Sequence, residues 1–254
     1  MKPTDPSPQA QGCAPPALAE AEPGTARPPT PARLRKEQHI LGVAEAHFAQ
    51  SGFEGASLEA IATAAGLSRH NLLYYFPSKE ALYQRVLDDV LTQWLDGMQA
   101  LPDSPSPQQA LREYIGLKMR SARERPNSTK VFAMEVMAGA PRLAATIQAR
   151  VLPVLQRQVD AFECWAAAGL IRRVDFTHLM FMLWSVTQAY AEHQAQFALL
   201  LQKPALEPLD YAQAEALLVH LVWAGLAPSA GLPPVQSESS GKTGRRTLAK
   251  GKRA

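Results

Sequence analysis

Cysteine is nearly absent from this chain of 254 residues, which has only Cys13 and Cys164. One lies in a proline-rich stretch and the other in a helical pattern, so they make no disulfide framework of the kind that staples small secreted domains, and a reducing compartment is expected. A strong charge of one sign is also missing: the formal net charge is +3. Even that excess is local, because residues 229 to 254 carry Lys242, Arg245, Arg246, Lys250, Lys252 and Arg253 against Glu238 alone. Bulk basicity is therefore no argument for a nucleic-acid partner; only individually placed charges can be one. Long apolar runs are lacking too. The most apolar windows are broken by His178, Gln188 and His220, and the start MKPTDPSPQAQG has no apolar signal segment. Neither a membrane span nor secretion is expected, and the chain reads as cytoplasmic. Finally, His39, His47, His70, His178, His193 and His220 show no compact ligand spacing, so neither a metal nor another cofactor is expected.

What is present is helical periodicity. With 46% hydrophobic residues the chain is long enough for one or two domains with a sizeable core. Residues 1 to 32, rich in Pro, Ala, Gln and Thr, have no period and read as a disordered arm; 229 to 254 read as a disordered basic tail. The tail is either a solvated end or a nonspecific holder of DNA phosphates. Between them no stretch alternates at period two for long enough to be a strand, and about nine helices are expected.

The first helix, from Arg33, carries Ile40, Leu41, Ala44 and Phe48 at helical spacing and ends at Gly52. Ser57 caps a second over Leu58, Ile61, Ala62 and Ala65, which Gly66 ends. Ser68 caps a third through Tyr75, and Pro77-Ser78 opens a fourth running to about Met98. Later helices are expected over 108 to 125, 128 to 138, 143 to 168, 175 to 201 and 211 to 226.

Two short helices separated by Ala-Gly-Leu-Ser have the helix-turn-helix arrangement, or are a generic pair in a bundle. In GLSRHNLLYYFPSKEAL, Leu72 and Phe76 are one turn apart and read as core. Arg69, His70 and Leu73 point away from it, where they can reach base edges in a major groove. Ser57, Asn71, Tyr74, Tyr75 and Lys79 are candidate phosphate donors, helped by helix N-termini.

The span 33 to 98, above all LEAIATAAGLSRHNLLYYFPSKEAL, resembles the DNA-binding domain of the TetR family of bacterial transcriptional regulators. One departure is Leu73, where that family commonly has tyrosine, which leaves an apolar contact at that position. RPNSTKVFAMEVMAGAP and HLMFMLWSVTQAYAEH resemble the effector domain of the subgroup that represses pyrimidine-utilisation genes. The resemblance implies an all-α fold, with a three-helix helix-turn-helix domain over 33 to 78 and an effector-binding and dimerisation domain over 79 to 228. It implies a homodimer on a palindromic double-stranded DNA operator, released or retained by a small-molecule effector.

Trp184 and Gln188, one turn apart on an apolar segment, suit a flat heterocycle: indole stacks on the ring while the amide pairs with a carbonyl and a ring N–H. The resemblance points to uracil or thymine and to Trp184, Gln188 and Trp94 as contacts, with Tyr190 a further candidate. Otherwise the tryptophans are core and Gln188 bonds across a dimer interface. Leu179, Leu183, Val186, Phe197, Leu217, Leu218, Leu221, Val222 and Leu226 exceed one narrow core stripe, and the resemblance implies that the helices carrying them pair two protomers; otherwise they fill one protomer's core. Glu135 is expected to bond to backbone and not to enter the pocket. Three other readings stay open: a family member with another small hydrophobic effector, an all-α enzyme acting on a heterocycle, and an architectural DNA-binding protein.

Overall fold

Proline placed where a helix can use it accounts for much of the architecture. The structure, a computed structural model, describes residues 30–99, 101, 104 and 106–228. The basic tail and Cys13 lie outside the described residues, as does the N-terminal arm except for its last three positions. Those three already belong to a helix start: α1 is Pro31–Gly55, with the Thr30 hydroxyl accepting from the Arg33 N–H and Pro31 at the first helical position. Proline loses nothing there, because the first N–H groups have no intrahelical partner.

The same device opens α5 (Pro107–Glu124), α6 (Pro126–Met137) and α11 (Pro208–Leu226). Each of these helices starts one to three residues before the periodic signal does. Between α1 and α5 come α2 (Leu58–Ala64), α3 (Arg69–Tyr75) and α4 (Lys79–Met98); Ser57, Ser68 and Ser78 cap them, each accepting from the N–H three residues on. No strand occurs among the described residues.

Two helices expected to be continuous are broken. The stretch 143 to 168 resolves into α7 (Ala144–Thr146), a π-helical turn (Ile147–Val151) and α8 (Leu152–Ala167). Pro153 has no N–H and its ring collides with the carbonyl four residues back. The ladder takes up one extra residue just before it, with the Leu152 N–H reaching the Ile147 carbonyl. The stretch 175 to 201 divides at His193 into α9 (Phe176–Glu192) and α10 (Gln194–Leu200), because His193 leaves helical geometry at φ −108°, ψ 23°.

The apolar side chains form two cores. One gathers Ile40, Phe48, Ile61, Leu72, Phe76 and Leu82 around the first four helices, with Val131 of α6 and Leu143 added from the second half. The other packs Tyr114 and Ile115 of α5 against Phe162 of α8, Phe176 and Leu183 of α9 and Val222 of α11. Burying each such side chain contributes about 1.5–3 kcal/mol. α4 is shared: Leu82 to Leu91 belong to the first core, Leu95 and Met98 to the second.

Candidate nucleic-acid interface and internal cavity

The turn between α2 and α3 is built on Gly66, whose φ of +66° is in the left-handed region. The Leu67 N–H closes back on the Ala62 carbonyl at 2.9 Å, the bond pattern of a glycine-terminated helix. Lys36 of α1 donates to the Ala65 carbonyl at 3.3 Å. The turn is thus held from both sides, and α3 can be only seven residues long because neighbours fix it.

On α3, Leu72 and the following Phe76 are buried, while Arg69, His70, Asn71 and Tyr74 are exposed and Leu73 and Tyr75 half-buried. Tyr74 is the most open of the aromatic residues, at 70%. The guanidinium of Arg33 lies over the rings of Tyr74 and Tyr75, 5.4 and 5.8 Å from their centres. This brings Arg69, His70, Leu73, Asn71, Tyr74 and Tyr75 to one helix, with Ser57 at the start of the helix beside it. Lys79 is placed differently. Its ammonium donates to the Glu54 and Ala56 carbonyls, both at 3.0 Å, and lies over the Phe53 ring. Two of its three N–H groups therefore tie the end of α1 to the start of α4.

In the second half, a cavity of about 350 Å³ lies between α4, α5, α6, the π-helical turn and α9. Trp94, Trp184 and Gln188 all line it, together with Lys118, Phe132 and Phe181. The indole N–H of Trp184 donates to the Tyr114 hydroxyl at 2.6 Å, which fixes that ring's plane. Trp94 meets Phe132 edge to face at 4.8 Å. The Gln188 amide, half-buried, has no hydrogen bond among the described residues.

Tyr190 is not part of this cavity. It faces the other end of α9, packing on Phe197 and Tyr211 beside a separate groove under α10 and α11. Two helical steps from Gln188 turn it to a different face.

Lys118 was not foreseen. It sits among Leu111, Tyr114, Ile115, Met119 and Ala122 on the apolar side of α5 and is 7% exposed. Its ammonium is 4.3 Å from the centre of the Trp94 ring and has no hydrogen bond or ion pair among the described residues. Burial pushes its pKa down to about 8, since a charge taken out of water is disfavoured. A lysine at the i+4 step from Tyr114 falls on the buried stripe, and that register was the one available signal.

Glu135 is buried and accepts from the Arg142 backbone N–H at 2.7 Å. It does not line the cavity. Arg142 also bonds Glu80 at the start of α4 at 2.7 Å and stacks over Phe53 at 3.9 Å. Arg125 pairs with Glu45 of α1 at 2.7 Å and bonds Gln93 of α4. Both ends of α6 are thereby fastened to the first four helices.

Residues 40–86 match the bacterial regulatory proteins of the tetR family, and residues 87–229 match the C-terminal region of YcdC-like proteins. The chain belongs to the TetR family. Its relatives are transcriptional regulators and not enzymes. It is 40% identical to the HTH-type transcriptional regulator RutR of Escherichia coli K12 over 161 residues, 63% of this chain and 76% of RutR. Two solved structures share the fold. The ketosteroid transcriptional regulator KstR2 of Mycobacterium tuberculosis has a TM-score of 0.64 at 18% identity, covering 76% of this chain and 96% of KstR2. AibR, solved with isovaleryl coenzyme A and operator DNA, has a TM-score of 0.58 at 18% identity, covering 73% of this chain and 97% of AibR. The TetR chain described here is thus a DNA-binding regulator with a ligand-responsive C-terminal domain, and no helix among its described residues is long and apolar enough to cross a membrane.

Proposed function

We propose that this TetR regulator is a homodimeric repressor that binds a palindromic operator and is released from it by a pyrimidine such as uracil or thymine. The observation that carries the reading is the convergence of Trp94, Trp184 and Gln188 on one cavity. Both indoles line the same space of about 350 Å³ as Gln188, whose amide makes no hydrogen bond among the described residues and can match a ring's carbonyl and N–H edge. The similarity to RutR supports the same ligand class.

At the other end of the molecule, Arg69, His70 and Leu73 read bases, Arg69 by the two-pronged bond to guanine that its guanidinium favours. Ser57, Asn71, Tyr74 and Tyr75 hold phosphates, joined by the third N–H of Lys79. α4 connects the two sites. It carries Leu91, Trp94, Leu95 and Met98 into the cavity and begins beside α3, about 22 Å away at 1.5 Å per residue. A guest wedged against Trp94 tilts α4 and alters the spacing of the paired recognition helices, so that one half-site is lost.

Mobility shift of the protein on its own promoter DNA, with and without millimolar pyrimidine, tests the reading. The expected result is a specific complex that uracil or thymine dissociates. A specific complex indifferent to both would discard the effector and keep the regulator.

A further inference from the structure

Pairing Gln188 with an amide edge leaves one group in the cavity unused. Lys118 is more than nine-tenths buried, lines the same cavity as Trp94 and Trp184, and has no acceptor among the described residues. The faces of α4, α6, α9 and the π-helical turn that close the cavity present no acidic, basic or histidine side chain. Desolvation by burial is the one cause of its lowered pKa, and no neighbouring charge contributes. At neutral pH the group is still mostly protonated. A desolvated ammonium lying only on a ring face is poorly compensated, because buried charges are ordinarily paired.

We propose that Lys118 makes this cavity selective for an anion, so that its preferred guest is a planar cyclic amide or imide carrying negative charge on a ring oxygen or an attached carboxylate. The charge sits against the Lys118 ammonium while Gln188 takes the amide edge and the indoles cover the ring. The proposal rests on the reading of Trp94, Trp184 and Gln188 as the effector site and narrows its ligand class. The guest supplies a counter-ion that Lys118 does not have among the described residues. Neutral pyrimidines keep the amide pairing and forgo the ion pair.

Calorimetric titration of the full chain at pH 7 with uracil, barbituric acid and benzoate tests this. Uracil is neutral there, barbituric acid is an anion with the same edge, and benzoate is an anion without it. Barbiturate is expected to bind at least about tenfold tighter than uracil, the scale of one charge-assisted bond. Lys118→Met, similar in length and apolar, is expected to abolish that preference, bringing barbiturate affinity to within about threefold of uracil's in the same variant. Raising the pH from 7 to 9 is expected to weaken barbiturate binding to the natural protein by about tenfold, as the lysine loses its proton. This arm needs no variant and stands even if Lys118→Met fails to fold.

Equal binding of uracil and barbiturate, or a preference that survives Lys118→Met, overturns charge selection and leaves the pyrimidine reading intact. Benzoate bound through Lys118 with neither pyrimidine bound keeps charge selection and discards the pyrimidine. Binding of none of the three overturns both.

Discussion

Arg69 and Leu72 are three residues apart on one short helix, yet one is exposed and the other wholly buried. This division separates the base reading proposed for Arg69 from folding, so the two can be perturbed independently. Arg69→Ala is expected to weaken promoter binding about tenfold to a hundredfold and relax its sequence preference, with the salt dependence and melting temperature little changed. Fluorescence anisotropy at several salt concentrations checks it; a large fall in the salt slope would make Arg69 a phosphate contact instead. At this scale placement was readable where a residue's type and register agreed, as in the burial of Leu72 and Phe76 and the shared cavity of Trp184 and Gln188. It was not readable at Lys118, whose charge argues for the surface while its register argues for the core, nor at Lys79, whose backbone partners are 23 and 25 positions away.

Elements begin and end for reasons that differ in how openly the sequence states them. Gly66 states its reason: the turn needs a positive φ, and a Cβ there would meet nothing within 4 Å. Gly66→Ala is therefore expected to cost about 1–2 kcal/mol from backbone strain alone, a fall of roughly 2–8 °C in Tm. Gly42, inside α1 and equally uncrowded, is the control of opposite sign. Gly42→Ala is expected to stabilise by up to about 1 kcal/mol, because the helix interior favours alanine. Thermal melts of the two variants check both signs. The first-position prolines were hidden in the sequence because proline ordinarily signals a stop, and the apolar pattern resumes only after it. The break at His193 was hidden for another reason: apolar residues keep their spacing across it, so periodicity alone reads through.

Across the whole molecule, burial sorts the residues expected to pair protomers. Leu179, Leu183, Val222 and Leu226 belong to the protomer's own core, so they are not the part of the apolar excess left for a partner. Leu217 and Leu221 remain 55% and 57% exposed on α11, and Leu217 shares a groove with the exposed Leu200 and Leu201. An apolar patch of that kind is the surface a second copy would cover. Replacing Leu217 and Leu221 together by glutamate is expected to give a folded monomer by light scattering and to lose the tight two-half-site complex on DNA. A dimer that persists would place the contact elsewhere.

Val131 and Leu143 have a different kind of consequence. Both come from the effector half, and both are fully buried in the core that supports the recognition helix. A chain cut after α4 would keep every residue proposed to face DNA and lose part of the interior that gives those residues their shape. The line between the two halves is a division of labour and not of packing, so the reader and the sensor are expected to melt in a single calorimetric transition.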